Sequence, residues 1–213
     1  MNYHQGQPVV TRGAALDQAQ AVMILIHGRG ASAESILTLV PEIDQPGFAY
    51  LAPQAAGDTW YPYRFLEPVE RNEPYLSSAL SVLSGLVEQL RGRGFSSEQI
   101  MLLGFSQGAC LVAEWAARNP DYYGGVMILS GGLIGDKVSV KPGSLAGTPI
   151  FLGCSDIDGH IPQSRVEESA EILRQMGGDV TMRLYRGMGH TINQDEIDSV
   201  RRAMTVVVRN QNK

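Results

Sequence analysis

The chain has 213 residues, 44% of them hydrophobic and 18% charged. That is enough apolar material for one sizeable core and excludes a charge-rich disordered chain. Lys and Arg number 17 against 22 Asp and Glu, a net charge of −5 with no basic stripe, so no nucleic-acid partner is expected.

Residues 1–20 read as an N-terminal segment, and the expected architecture is one α/β domain over 1–213. The first 20 residues hold no apolar stretch after a basic start, so no secretory signal is expected. Ala21–Ile26 is the longest clean apolar run, far short of the ~20 residues that cross a bilayer. No membrane span is therefore expected, and the expected location is cytoplasmic.

Ala21–Ile26 reads as a buried strand ended by Gly28 and Gly30. Ser32 is placed to cap a helix over 33–40 that stops near Pro41. Phe48–Ala52 is a second strand. Residues 53–72, rich in Pro, Gly and aromatics, read as an irregular excursion. Asn72 is positioned as the N-cap of a long helix with Pro74 near its first turn. Its apolar face runs through Tyr75, Leu76, Ala79, Leu80, Leu83, Leu86, Val87 and Leu90. Ile100–Leu103 is the next strand, followed by a glycine turn and a mostly apolar helix over 109–117. Val126–Ser130 and Pro149–Cys154 are strands. A helix over 163–176, a strand over Val180–Tyr185 nearer the sheet edge and a closing helix over 196–208 complete the chain. Alternating strands and helices imply a mostly parallel sheet with helices on both faces. Cys110 and Cys154 lie in apolar segments, fit no zinc spacing and read as reduced packing residues.

Gly104-Phe105-Ser106-Gln107-Gly108 matches G-x-S-x-G between a strand and a helix. Such a turn exposes the serine in a strained conformation, and the flanking glycines leave room where strand and helix crowd. Ser106 is the candidate nucleophile. A base is then expected on a loop near the C-terminus, and His190 in Gly187-Met188-Gly189-His190 lies there. His4, His27 and His160 fit that place less well. The acid is expected after the strand Pro149–Cys154. Asp156 and Asp158 both qualify by spacing; Asp158, followed by Gly and Ile-Pro, is preferred, and Asp156 reads as a turn-holding carboxylate. Asp-x-Asp-x-His is also a weak metal pattern, but no third well-placed ligand group is evident. The main-chain amides of Gln107 and Arg29 are the candidate oxyanion donors, the second lying in His27-Gly28-Arg29-Gly30 after the first strand. No metal or cofactor is expected.

Together, I-H-G-R-G at 26–30, G-F-S-Q-G at 104–108, D-I-D-G-H-I-P at 156–162 and G-M-G-H at 187–190 resemble the phospholipase/carboxylesterase family of α/β-hydrolases. That family includes the acyl-protein thioesterases, and the resemblance here leans to its bacterial esterase branch. It implies the α/β-hydrolase fold and a Ser106–His190–Asp158 triad. It also implies hydrolysis of short- to medium-chain carboxylic esters, with thioesters and lysophospholipids as alternatives. The partner it implies is a small-molecule ester. Two departures stand out. Trp60-Tyr61-Pro62-Tyr63 replaces the Trp-Phe-Asp of the thioesterases, and the acid loop opens with Cys-Ser instead of His-Gly. Trp60, Tyr61 and Tyr63 are candidate walls of an acyl pocket. A non-hydrolytic binding protein on the same fold is the competing class. A homodimer is compatible with the sequence, although no residue pattern shows one.

Overall fold

Strands with no polar face demand cover on both sides, and that requirement organises the molecule. The computed structural model describes residues 3–138 and 143–211. In chain order its elements are β1 (Val9–Gly13), β2 (Ala21–Ile26), α1 (Ala33–Ile36), α2 (Val40–Ile43), β3 (Phe48–Pro53), α3 (Val69–Asn72), α4 (Tyr75–Gly92), β4 (Ile100–Phe105), α5 (Gln107–Arg118), β5 (Gly125–Leu129), β6 (Pro149–Ser155), α6 (Gln163–Gln175), β7 (Asp179–Tyr185) and α7 (Gln194–Gln211). All seven strands join one sheet in the order β1-β3-β2-β4-β5-β6-β7. Only β1 runs antiparallel, against β3; the other pairings are parallel.

Successive side chains of a strand point to opposite faces. In β2, Val22, Ile24 and Ile26 enter a core shared with Leu83 of α4, Ala113 of α5 and Val166 of α6. Met23 and Leu25 enter the opposite core with Leu37, Ile43 and, from α7, Ile197, Val200 and Met204. This is why β2 reads as an unbroken apolar run.

The structure departs from the sequence reading in three places. The helix after Ser32 does not stop at Pro41. A 3₁₀ turn over Leu37–Leu39 leads into α2, with Pro41 in its first turn, where a missing N–H costs nothing. Asn72 does not cap α4. It ends α3 fully buried, its Oδ1 accepting Tyr63 N–H at 2.9 Å and its Nδ2 donating to the Arg64 carbonyl at 3.1 Å. Finally, part of the N-terminal segment forms β1, an edge strand whose residues are mostly exposed. With little to bury, its sequence carries no clean alternation.

Candidate active site

Chain order places the site. The connection leaving β2 runs to β3 on one side, and the connection leaving β4 runs to β5 on the other. A crevice opens where such a sheet switches direction, beyond the carboxyl ends of the two strands. β2 and β4 are neighbours, with Ile26 opposite Gly104. The loop His27–Gly30 and the turn at Ser106 therefore emerge side by side.

The turn at Ser106 is tight. Ser106 has φ 57° and ψ −119°, a left-handed conformation for a residue with a Cβ. The flanking glycines are required by contact. A Cβ on Gly108 would strike the Ile26 carbonyl oxygen, and one on Gly104 the Gly108 carbonyl oxygen. Gly28 also lies against this turn, where a Cβ would stand 3.4 Å from that of Ser106.

The structure brings Ser106, His190 and Asp158 into one hydrogen-bonded chain. Ser106 Oγ lies 2.8 Å from His190 Nε2, and His190 Nδ1 lies 2.7 Å from Asp158 Oδ2. An ionised carboxylate only accepts, so Nδ1 carries the proton and the Nε2 lone pair faces the serine hydroxyl. The Asp158 side chain is fully buried. Its Oδ1 accepts the amides of His160 at 2.8 Å and Ile161 at 3.1 Å, and the Cys154 thiol points at Oδ2 from 3.7 Å. Burial pushes this carboxyl up, but the bonds from His190 and the two amides outweigh it and leave its pKa below the usual carboxylate value. The Cys154 thiol is pushed up to about 12 by burial and the nearby Asp158 charge, so it faces the acid as a protonated donor. The His190 ring sits between Phe105 and His160, with centroids at 5.0 and 4.8 Å.

Two further bonds join the acid loop to the base loop. Asp156 Oδ1 accepts the Gly187 amide at 2.8 Å. Ser155 Oγ donates to the Met188 carbonyl and accepts the Ile157 amide. Asp156 thus ties two loops together instead of bonding only within its own turn. With Asp156 and Asp158 so engaged, no group of three metal-ligating side chains forms among the described residues.

The amides of Arg29 and Gln107 are free of protein acceptors among the described residues. Gln107 opens α5, whose first-turn N–H groups have no intrahelical partner and lie at the positive end of the helix dipole. Gly30 N–H donates to Asp58 O at 2.7 Å and Ala31 N–H to Gly28 O at 3.3 Å, which curls the loop around Arg29.

A cavity of about 570 Å³ opens beside Ser106 and His190, lined among others by Arg29, Tyr61, Tyr63, Phe65, Cys110 and Ile161. Tyr61 and Tyr63 both reach it. Trp60 does not, which corrects its assignment to the pocket wall. Its indole is fully buried, donates Nε1–H to the His27 carbonyl at 2.9 Å and packs 5.0 Å from the His27 ring. An indole with a satisfied N–H gains more from the core than from the cavity edge.

The excursion itself is held by residues for which sequence reasoning found no such role. His27 Nε2 accepts the Ala55 amide and its Nδ1 donates to the Gly28 carbonyl. His4 accepts the Ala56 amide and donates to the Trp60 carbonyl. Burial keeps both imidazoles below their usual pKa, in keeping with neutral rings that accept. The Arg29 guanidinium donates to the carbonyls of Tyr61, Pro62 and Tyr63. The Gln107 side chain accepts the Trp60 amide and donates to the Tyr61 carbonyl. These targets are backbone groups, which leave no signature in a sequence.

A mostly parallel seven-stranded sheet with a serine on the strand–helix turn at its switch point defines an α/β-hydrolase. Within that class, the chain belongs to the phospholipase/carboxylesterase family, whose profile matches residues 7–208. It is similar to the phospholipase/carboxylesterase from Dyadobacter fermentans, 38% identical over 95% of this chain and 98% of that one, with a TM-score of 0.92. Acyl-protein thioesterase 1 of Kluyveromyces lactis is 27% identical over 85% of this chain and 90% of that protein. Acyl-protein thioesterase 1 of Gibberella zeae is 34% identical, but the match spans only 54% of this chain and 51% of that protein. The Bacillus cereus carboxylesterase shares the fold, with a TM-score of 0.74 at 19% identity.

Proposed function

We propose that this hydrolase cleaves carboxylic esters of short- to medium-chain acyl groups through an acyl-enzyme on Ser106. The observation that carries the reading is the unbroken chain Ser106 Oγ–His190 Nε2 and His190 Nδ1–Asp158 at 2.8 and 2.7 Å beside a cavity.

In this mechanism His190 Nε2 takes the Ser106 proton as Oγ attacks the acyl carbon. Asp158 holds the tautomer and stabilises the imidazolium. The oxyanion forms between the amides of Arg29 and Gln107, each such donor contributing on the order of 3 kcal/mol in the transition state. His190 then gives the proton to the leaving oxygen, and water, deprotonated by His190, releases the acid. A small-molecule ester is the partner this reading requires. A cytoplasmic location goes with it; among the described residues no helix is long and apolar enough to cross a membrane.

Turnover of p-nitrophenyl esters of increasing chain length, beside Ser106→Ala, tests the assignment. Wild-type turnover with an inert variant is expected. Equal rates in the two proteins would remove Ser106 from the mechanism. Thioester cleavage is the second reading, favoured by relatives that are acyl-protein thioesterases. Matched ester and thioester pairs compared by kcat/KM separate the two, because pocket shape and not the triad decides between them.

A further inference from the structure

Arg29 and Gln107 sit on different elements, yet both side chains grip one short segment, residues 59–63. Arg29 Nη1 donates to Pro62 O at 2.9 Å, and its Nη2 donates to Tyr61 O at 2.9 Å and Tyr63 O at 2.7 Å. From the other side, Gln107 Nε2 donates to Tyr61 O at 2.8 Å. Gln107 Oε1 accepts Trp60 N–H at 2.9 Å, and the Thr59 hydroxyl lies 3.2 Å from both Gln107 Oε1 and the Tyr61 carbonyl oxygen. The Trp60 amide only donates, so it fixes which end of the Gln107 amide faces it. The Tyr61 carbonyl is therefore shared between the two residues. Their main-chain amides are also the two proposed oxyanion donors, and Tyr61 and Tyr63 of the same segment line the cavity. The Gln107 side chain is buried, so its bonds to the segment have little competition from water.

We propose that the segment 59–63 acts as a strap coupling the substrate cavity to the oxyanion amides, with Arg29 and Gln107 as positioning residues through their side chains. Contact between the substrate's apolar portion and Tyr61 or Tyr63 seats the strap. The strap then holds both amides at the distance a developing oxyanion needs. Binding energy from the non-reacting part of the substrate is thereby expressed in kcat, not only in KM. This coupling rests on the serine-hydrolase reading above.

The test uses Arg29→Met and Gln107→Met, which keep both main-chain amides and remove the grip on the strap. Each is assayed against p-nitrophenyl acetate, butyrate and hexanoate, with fluorophosphonate labelling of Ser106 in the wild type. The expected result is that the ratio of kcat on the longer esters to kcat on acetate falls by about tenfold, with the corresponding KM ratio little changed. A loss that is uniform across chain length, or one carried entirely by KM, overturns the coupling and leaves the esterase reading standing. A wild type that neither labels nor turns over overturns both. Arg29 lies on an exposed loop, so Arg29→Met carries the test by itself if the buried Gln107 substitution prevents folding.

Discussion

Asp156 Oδ1 accepts the amide of Gly187 at 2.8 Å and so pins the loop that carries His190 to the loop that carries Asp158. The bond involves neither the proposed nucleophile nor the base; together with the Ser155–Met188 bond it joins the two loops that carry the proposed acid and base. Asp156→Ala is expected to lower kcat on p-nitrophenyl acetate by about 10- to 100-fold, the scale of a misplacement near 1 Å. Asp158→Asn is expected to cost about 10⁴, because an amide in that place favours the wrong imidazole tautomer. Steady-state kinetics of the two variants side by side decides the order. If Asp156→Ala proves the more damaging, the acid assignment is reversed.

Glu196 gives the protein a pH-dependent stability. Its Oε2 accepts the Asn193 amide at 2.8 Å while the Asn193 side chain accepts the Glu196 amide at 3.1 Å, a reciprocal cap at the start of α7. Its Oε1 is buried against Gly153 without a partner. Burial pushes this carboxyl up to about 7, the Asn193 bond pulling the other way. Below about pH 4.5 both folded and unfolded states hold the proton and stability is unaffected. Between about 4.5 and 7 the unfolded chain releases it first, so stability falls as pH rises, by on the order of 3 kcal/mol. Glu196→Gln keeps the cap and removes the titration. Melting curves from pH 5 to 8 are expected to show the wild type losing several degrees relative to the variant, at about 2–4 °C per kcal/mol. Parallel curves would contradict this account.

The conformation of Ser106 has a stability cost. A residue with a Cβ at φ 57° stores about 1–3 kcal/mol, and glycine relieves it while adding some entropy to the unfolded chain. Ser106→Gly is therefore expected to be more stable than Ser106→Ala by about 1 kcal/mol, with both inactive. Urea midpoints of the two variants measure the difference, and the opposite order would mean that the turn is unstrained.

Trp60 and Tyr63 belong to one short segment but have different environments. Trp60→Phe removes the bond to the His27 carbonyl and is expected to cost about 1–3 kcal/mol of stability, because a buried acceptor loses its partner. Tyr63, 47% exposed with Arg71 over its ring at 4.5 Å, lines the cavity. Tyr63→Ala is expected to weaken handling of longer acyl chains by about 1 kcal/mol in kcat/KM with little change in melting temperature. A chain-length effect from Trp60→Phe larger than that from Tyr63→Ala would return the indole to the pocket wall.

Much of this protein is legible in its sequence. Strands that are buried on both faces must be apolar throughout, which is why β2 and β4 stand out. Close packing at the Ser106 turn excludes a Cβ at Gly104, against the Gly108 carbonyl of α5, and at Gly108, against the Ile26 carbonyl of β2, which is why their spacing marks the turn. β1 escapes notice because an exposed edge strand needs no apolar pattern. Asn72 misleads because a residue suited to capping is equally suited to bonding two backbone groups of a loop.

The order of strands and helices, the serine turn and the loops that carry the candidate acid and base follow from the sequence itself, since each is a local requirement of backbone space or burial. Tertiary structure alone decides that Asp156 ties the acid loop to the base loop at Gly187. It also decides that Trp60 is interior while Tyr63 is not, and that the side chains of Arg29 and Gln107 close on one carbonyl. Those outcomes depend on distances between segments far apart in the chain, and their partners are largely backbone groups that every residue carries.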